Sequence, residues 1–202
     1  MFNGLIREIG KVTSYNQNIL TLKSNLKPNL GDSISINGAC LSVVKAFEGG
    51  FSVEISSQSK KMLALQNYKD RVHLEPAMKL GDSIDGHLLQ GHIDGIGEIY
   101  AINKNSNGTD FFIKLPKELM KFTSPQGSIA IDGVSLTIAQ TMQDSIRICV
   151  IPITMRDTLF GSFSIGRKVN IETDMFARYI YKIISNKNTT TWDDIDKIMS
   201  IY

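Results

Sequence analysis

Cysteine is scarce in this 202-residue chain. Only Cys40 and Cys149 occur, far apart and outside any CxxC pair, so no disulfide framework can form from them. No run approaches the ~18 apolar residues that a membrane helix needs. The opening MFNGLIREIG lacks the basic segment and apolar stretch of a signal peptide, and a cytoplasmic location is expected. No cluster of five or more basic residues appears, and 22 basic residues against 20 acidic give a formal charge of +2. Neither nucleic acid nor an acidic membrane surface is therefore indicated as a partner. What is present, 42% hydrophobic and 21% charged residues, fits a soluble globular protein. The length suits one large domain or two of roughly 100 residues each.

The sequence repeats itself, which decides between those two. Ser33-Ile34-Ser35-Ile36-Asn37-Gly38-Ala39-Cys40-Leu41-Ser42-Val43 matches Ser128-Ile129-Ala130-Ile131-Asp132-Gly133-Val134-Ser135-Leu136-Thr137-Ile138 at an offset of 128 − 33 = 95. Gly4, Ile6, Ile9 and Gly10 match Gly91, Ile93, Ile96 and Gly97 at an offset of 91 − 4 = 87. Val72-His73-Leu74-Glu75 matches Val169-Asn170-Ile171-Glu172 at 169 − 72 = 97. The drift from 87 to 95 is assigned to the polar turn Asn103–Asp110, where an insertion costs little.

Each copy reads as β. Strands are expected at Leu5–Thr13, Ile19–Lys23, Ser33–Ile36, Ala39–Ala46, Gly50–Ile55 and Arg71–Glu75 in the first. The second gives Gly91–Ala101, Asp110–Leu115, Ser128–Ile131, Val134–Gln140, Ser145–Val150 and Lys168–Ile171. Asn37-Gly38 and Asp132-Gly133 are two-residue hairpin signals, because both turn positions need positive φ. Six short antiparallel strands per copy close most easily into a barrel, which removes exposed edges. Helical pieces near Lys61–Leu65 and Pro116–Phe122 are expected to plug the ends. After Asp174, Met175, Phe176, Tyr179, Ile180, Ile183 and Ile184 follow helical spacing. A second helix is expected from Thr191, with Asp194 three residues on and Ile195, Ile198, Met199 and Tyr202 as its stripe. The expected fold is all-β, two tandem homologous six-stranded antiparallel Greek-key barrels at 1–87 and 88–174. A C-terminal α-helical oligomerisation tail follows at 175–202.

MFNGLI, NGACLSVV, GDSIDGHLLQGHIDGIGEI, GSIAIDGVSLTI and VNIETD, in that order, resemble the riboflavin synthase family over nearly the whole chain. GHLLQGHIDGIGE and DGVSLT are specific signals; NG or GxG alone would mean little. The resemblance implies dismutation of two molecules of 6,7-dimethyl-8-ribityllumazine to riboflavin and a pyrimidine, without metal, flavin or nucleotide cofactor. It also implies a homotrimer whose active sites lie between the first barrel of one subunit and the second barrel of a neighbour. A duplicated pocket suits such a reaction, since one compound serves as both donor and acceptor of a four-carbon unit. The copies differ at candidate ligand positions: Cys40 falls on Ser135, Ser42 on Thr137 and Leu5 on His92.

The resemblance makes His92, between the glycines at 91 and 95, a candidate for moving a proton from a substrate methyl; a plain structural histidine at a strand start is the bland alternative. Cys40 is read as a thiolate or a ring contact, against the ordinary fate of a small buried hydrophobe. Ser135 and Thr137 can hydrogen-bond ring carbonyl and nitrogen atoms, or simply decorate a strand. Asp174 sits where the family motif VNIE-x-D places a functional aspartate and is also a natural helix N-cap. Further substrate contacts implied by the resemblance are Gly4, Leu5, Ile6, Leu41, Ser42, Glu54, Ile55, Ser56, Ser57, Gln58, Ser59, Gly91, Ile93 and Leu136. Val150, Ile151, Pro152, Ile153, Thr154 and Met155 complete that set. Two departures from the family pattern stand out: Ser57-Gln58-Ser59 where many relatives have a Pro-Glu-Thr-like run, and Gln126 where lysine is common. His87 and His92 lie five apart, a spacing that suits one face of neither a helix nor a strand, so no metal is expected. The rival reading is a non-catalytic lumazine- or flavin-binding protein of the same fold, expected to have lost reactive residues in one copy. Cys40, His92, Ser135 and Asp174 are all here, which favours the enzyme. A flavin-dependent reductase would need a strand–GxGxxG–helix unit, which is absent.

Overall fold

The computed structural model describes residues 1–187. Its strands are β1 Glu8–Asn16, β2 Ile19–Lys23, β3 Ser33–Ile36, β4 Ala39–Phe47, β5 Gly50–Glu54 and β6 Arg71–Pro76. The second copy supplies β7 Gly95–Asn105, β8 Gly108–Lys114, β9 Ser128–Ile131, β10 Val134–Thr141, β11 Ser145–Val150 and β12 Lys168–Thr173. Each set closes into an antiparallel barrel, in the order β1-β2-β5-β4-β3-β6 and the same cycle shifted by six. Alternation drives closure. In β4, Leu41 and Val43 are buried while Cys40 is half-buried and Ser42 exposed. Leu20, Leu22, Ile36, Phe51 and Val53 fill one barrel, and Ile99, Phe111, Ile113, Ile131 and Ile148 the other. Barrels this small are full of side chains, so any ligand must bind on an outer wall or mouth.

The eight extra residues of the second copy do not all sit in one turn. Lys11 pairs with Lys23 and its counterpart Glu98 with Lys114, so β8 stands 114 − 23 = 91 residues after β2. Half of the insertion therefore lengthens the β7–β8 hairpin around Ser106-Asn107. The other half lies between β8 and β9, with the helical turn α2, Lys117–Met120. In the first copy the helical turn precedes its expected place: Ser56 caps Ser57–Lys60 (here α1), and a 3-10 turn follows at Leu65–Asn67. A third helix, α3 (Pro152–Asp157), begins at a proline at N1, where the missing N–H costs nothing. The C-terminal helix α4, Met175–Lys187, matches the expected spacing, whereas the helix expected from Thr191 lies outside the described residues. No helix among the described residues is long and apolar enough to cross a membrane.

The two hairpin turns meet back to back. Asn37, Gly38, Asp132 and Gly133 all have positive φ, between 45° and 85°. A Cβ on Gly38 would stand 2.8 Å from the Gly133 nitrogen, and one on Gly133 would stand 2.7 Å from that of Gly38. Around this contact runs a buried network with approximate two-fold symmetry. Asn37 Oδ1 accepts from His73 N at 2.8 Å, and Asp132 Oδ1 from Asn170 N at 2.7 Å. Asn170 bridges Asn37 O and Ala64 N, both at 2.8 Å. His73 bridges Asp132 O at 2.8 Å and Leu159 N at 2.7 Å in the same way.

His73 must accept from the Leu159 N–H through Nε2, so Nδ1 carries the proton and the ring is neutral. Burial pushes its pKa down to about 4. The folded state therefore resists a proton that the unfolded chain takes up below about 6.5, and stability from this group falls as pH drops from there to about 4. Asp132, raised to about 6, and Glu172, raised to about 7, both by burial, act in the opposite sense over overlapping ranges. His73→Gln keeps an acceptor for Leu159 and removes the titration. Urea denaturation across pH should show wild type losing on the order of 3 kcal/mol relative to His73→Gln between pH 7 and 4. A pH-independent difference would mean the ring is not held neutral.

Candidate active site

The segments ahead of β1 and β7 do not continue those strands, as the sequence suggested, but leave their own barrels. Gly4 and Gly91 turn with φ of 79° and 76°. Each lays its arm against the other barrel: Gly4 O accepts from Ser135 N at 2.9 Å, and Gly91 O from Cys40 N at 2.8 Å. A Cβ on Gly4 would fall 2.5 Å from that of Ser135, and one on Gly91 would fall 2.6 Å from that of Cys40. Only glycine permits so close an approach. Glu75 receives Asn3 N and Gly4 N at 2.7 and 3.1 Å; Glu172 receives Gln90 N and Gly91 N at 2.7 and 3.0 Å.

This exchange regroups the candidates. Alignment of the copies puts His92 with Ser135 and Leu5 with Cys40; the fold crosses them. His92, exposed, belongs to the first-barrel wall of Cys40 and Ser42, and Ile93 packs on that barrel's core. Leu5 joins Ser135 and Thr137, and Ile6 packs on the second core. Leu5, Asp85, Gly86, Ser135, Thr137, Cys149, Ile151 and Thr154 line a cavity of about 310 Å³, with Leu136 and Ser128. A larger groove of about 670 Å³ across Arg7, Lys27 and Lys79 touches none of the expected site residues.

The remaining candidates take definite places. Leu41, Ile55 and Val150 point into the barrel cores, so only their backbone groups can meet a ligand. Glu54, Ser56, Ser57 and Gln58 are exposed beside the first wall, and the Ser56 and Ser59 hydroxyls bond each other at 2.9 Å. Ile151, Pro152 and Ile153 are exposed on the corresponding edge of the second barrel, with Thr154 and Met155 half-buried. Asp174 is the N-cap of α4: its Oδ1 accepts from Phe176 N at 2.7 Å.

The sequence does not single out His87 as a partner of Ser135. His87, considered in the sequence only as half of a metal pair, places Nδ1 2.7 Å from Ser135 Oγ, while its Nε2 is buried without a partner among the described residues. Burial lowers the His87 pKa and the charge of Asp174 opposes that shift. A histidine kept neutral beside a hydroxyl can take its proton, so the second wall carries a serine with a base at hand. The first wall has a thiol and an exposed imidazole instead. No signal in the sequence links His87 to a serine 48 positions away.

Two similar outer walls, each completed by an arm from the other barrel and each carrying different side chains, define a tandem β-barrel protein with a duplicated candidate site. The lumazine binding domain model matches twice, at residues 3–77 and 90–174. Riboflavin synthase of Photobacterium leiognathi is 37% identical, the match covering 91% of this chain and 89% of that one. Riboflavin synthase of Bacillus subtilis is also 37% identical, covering 94% of each chain. The crystal structure of LumP complexed with riboflavin superposes with a TM-score of 0.76 at 24% identity, covering 86% of this chain and 99% of that one; it shares the fold. The chain belongs to the riboflavin synthase family of lumazine-binding-domain proteins.

Proposed function

We propose that this protein is a riboflavin synthase, a transferase that moves a four-carbon unit between two molecules of 6,7-dimethyl-8-ribityllumazine. One lumazine gives up four carbons and leaves as 5-amino-6-ribitylamino-pyrimidinedione; the other gains them and becomes riboflavin. Carbon and electron changes stay within the pair of substrates, so the reaction calls for no cofactor. The observation that carries the reading is the unequal duplication: Cys40 and His92 on one wall, Ser135 and His87 on the other. Two related walls suit two copies of one compound, and their different groups suit its two roles. The working units are then barrel 8–76 with arm 90–94, and barrel 95–173 with arm 2–7. The exposed apolar side of α4 supports a homotrimer in which donor and acceptor walls come from neighbouring subunits. Purified protein mixed with the lumazine should yield one riboflavin for every two lumazines consumed, read by absorbance and chromatography. Tight binding with no riboflavin would mean a carrier of the same fold.

A further inference from the structure

We propose that Arg178 is a positioning residue for His92: from helix α4 it clamps both ends of the arm that holds this histidine against the first barrel. The inference rests on His92 acting in the reaction proposed above. His92 is exposed, so the backbone that carries it sets its direction. That backbone is tied at Gly91 O to Cys40, at Gln90 N and Gly91 N to Glu172, and at Asp94 N to Ile171 O at 2.8 Å. Each of these ties has a twin on the Leu5 arm, where Arg7 N reaches Leu74 O at 2.9 Å.

Among the described residues the clamp has no twin. Arg178 Nη1 donates to Asp94 Oδ1 and Nη2 to Gln90 Oε1, the latter at 2.8 Å. Asp94 Oδ2 in turn accepts from Thr173 N and Oγ1, both at 2.7 Å. The side chains of Arg178 and Asp94 are 18% and 15% exposed, so water competes little for the pair. On the other arm Arg7 stands at the position of Asp94, and the Asn3 side chain binds Ser83 O at 3.0 Å instead. The one arm that carries an imidazole is the one held by a guanidinium fork. A planar fork with two fixed donors sets orientation as well as distance.

A purely structural role, fastening α4 to its barrel, would make the same contacts, and a double-mutant cycle separates the two. Arg178→Met should lower kcat about tenfold and leave KM within about twofold, since a misplaced group costs chemistry more than binding. Arg178→Lys should recover part of the loss. Asp94→Asn keeps an acceptor for Thr173 and should reproduce the Arg178→Met effect if that variant folds poorly. In a His92→Ala background, Arg178→Met should cost less than about twofold. NMR of the histidine rings should show the His92 resonance moving in the clamp variants without any turnover being needed. An equal loss of kcat in both backgrounds, a loss that tracks dissociation in light scattering, or an unmoved His92 resonance would each overturn the clamp. Absence of riboflavin formation by the wild-type chain would overturn the functional reading instead, and the NMR comparison would still decide the clamp.

Discussion

Ser135→Ala should lower riboflavin formation by about a hundredfold or more while leaving lumazine binding within severalfold of wild type, because acid–base catalysis of this kind contributes ~10²–10⁴. The hydroxyl lies 2.7 Å from His87 Nδ1, on the wall of the 310 Å³ cavity of the second barrel. Burial holds the imidazole below its ordinary pKa, so near neutrality Nδ1 can accept the serine proton. His87→Ala should lose a comparable factor, and the double variant little more, since the two act as one unit. Asp174 gives a sharper test. Its charge raises the His87 pKa. Asp174→Asn removes that charge but leaves a good N-cap for α4. The acid limb of the kcat/KM profile should therefore move to lower pH while the thermal midpoint barely changes. A fall in stability with an unmoved pH profile would return Asp174 to a capping role alone. Undiminished turnover by Ser135→Ala would remove the second wall from the chemistry.

The fold was legible because its signals are local. Alternation in Ala39–Phe47 and Val134–Thr141, and the Asn-Gly and Asp-Gly turns with both residues at positive φ, decide strands and register within a few residues. The site was legible only in part. Cys40, His92, Ser135 and Asp174 were named, but their grouping followed the alignment of the copies, and the arm exchange at Gly4 and Gly91 reverses it. Nothing local distinguishes an arm that continues its strand from one that crosses to the other barrel; the choice is made by the Cys40 and Ser135 backbones. His87 and Arg178 were missed for the same reason. Their partners lie 48, 84 and 88 positions away, and each matters only through contacts that folding creates.

Helix α4 stands exposed from Tyr179 to Ser185. Arg178 and Tyr181 face its own barrel, with Tyr181 edge-on to Phe122 at 5.4 Å, while the apolar stripe points outward. Phe176, Tyr179, Ile180, Ile183 and Ile184 are each between 50% and 58% exposed. Both barrels have complete cores of their own, so in the proposed homotrimer the stripe is covered by the same helix from the other subunits. Burial would contribute ~1.5–3 kcal/mol for each large side chain fully covered. Ile180→Asp with Ile183→Asp should therefore dissociate the proposed trimer, because two carboxylates cannot enter an apolar helix seam without a large desolvation cost. These substitutions spare Arg178, so the clamp on His92 stays in place, which removal of the tail from residue 178 onward would not allow. If each active site draws its walls from two subunits, the variant should be a folded monomer that binds lumazine and forms riboflavin at least a hundredfold more slowly, a penalty in the range that lost orientation of two reactants carries. Light scattering and an activity assay over a series of protein concentrations test both halves. A monomer with undiminished turnover at low concentration would place both walls of the working site within one chain.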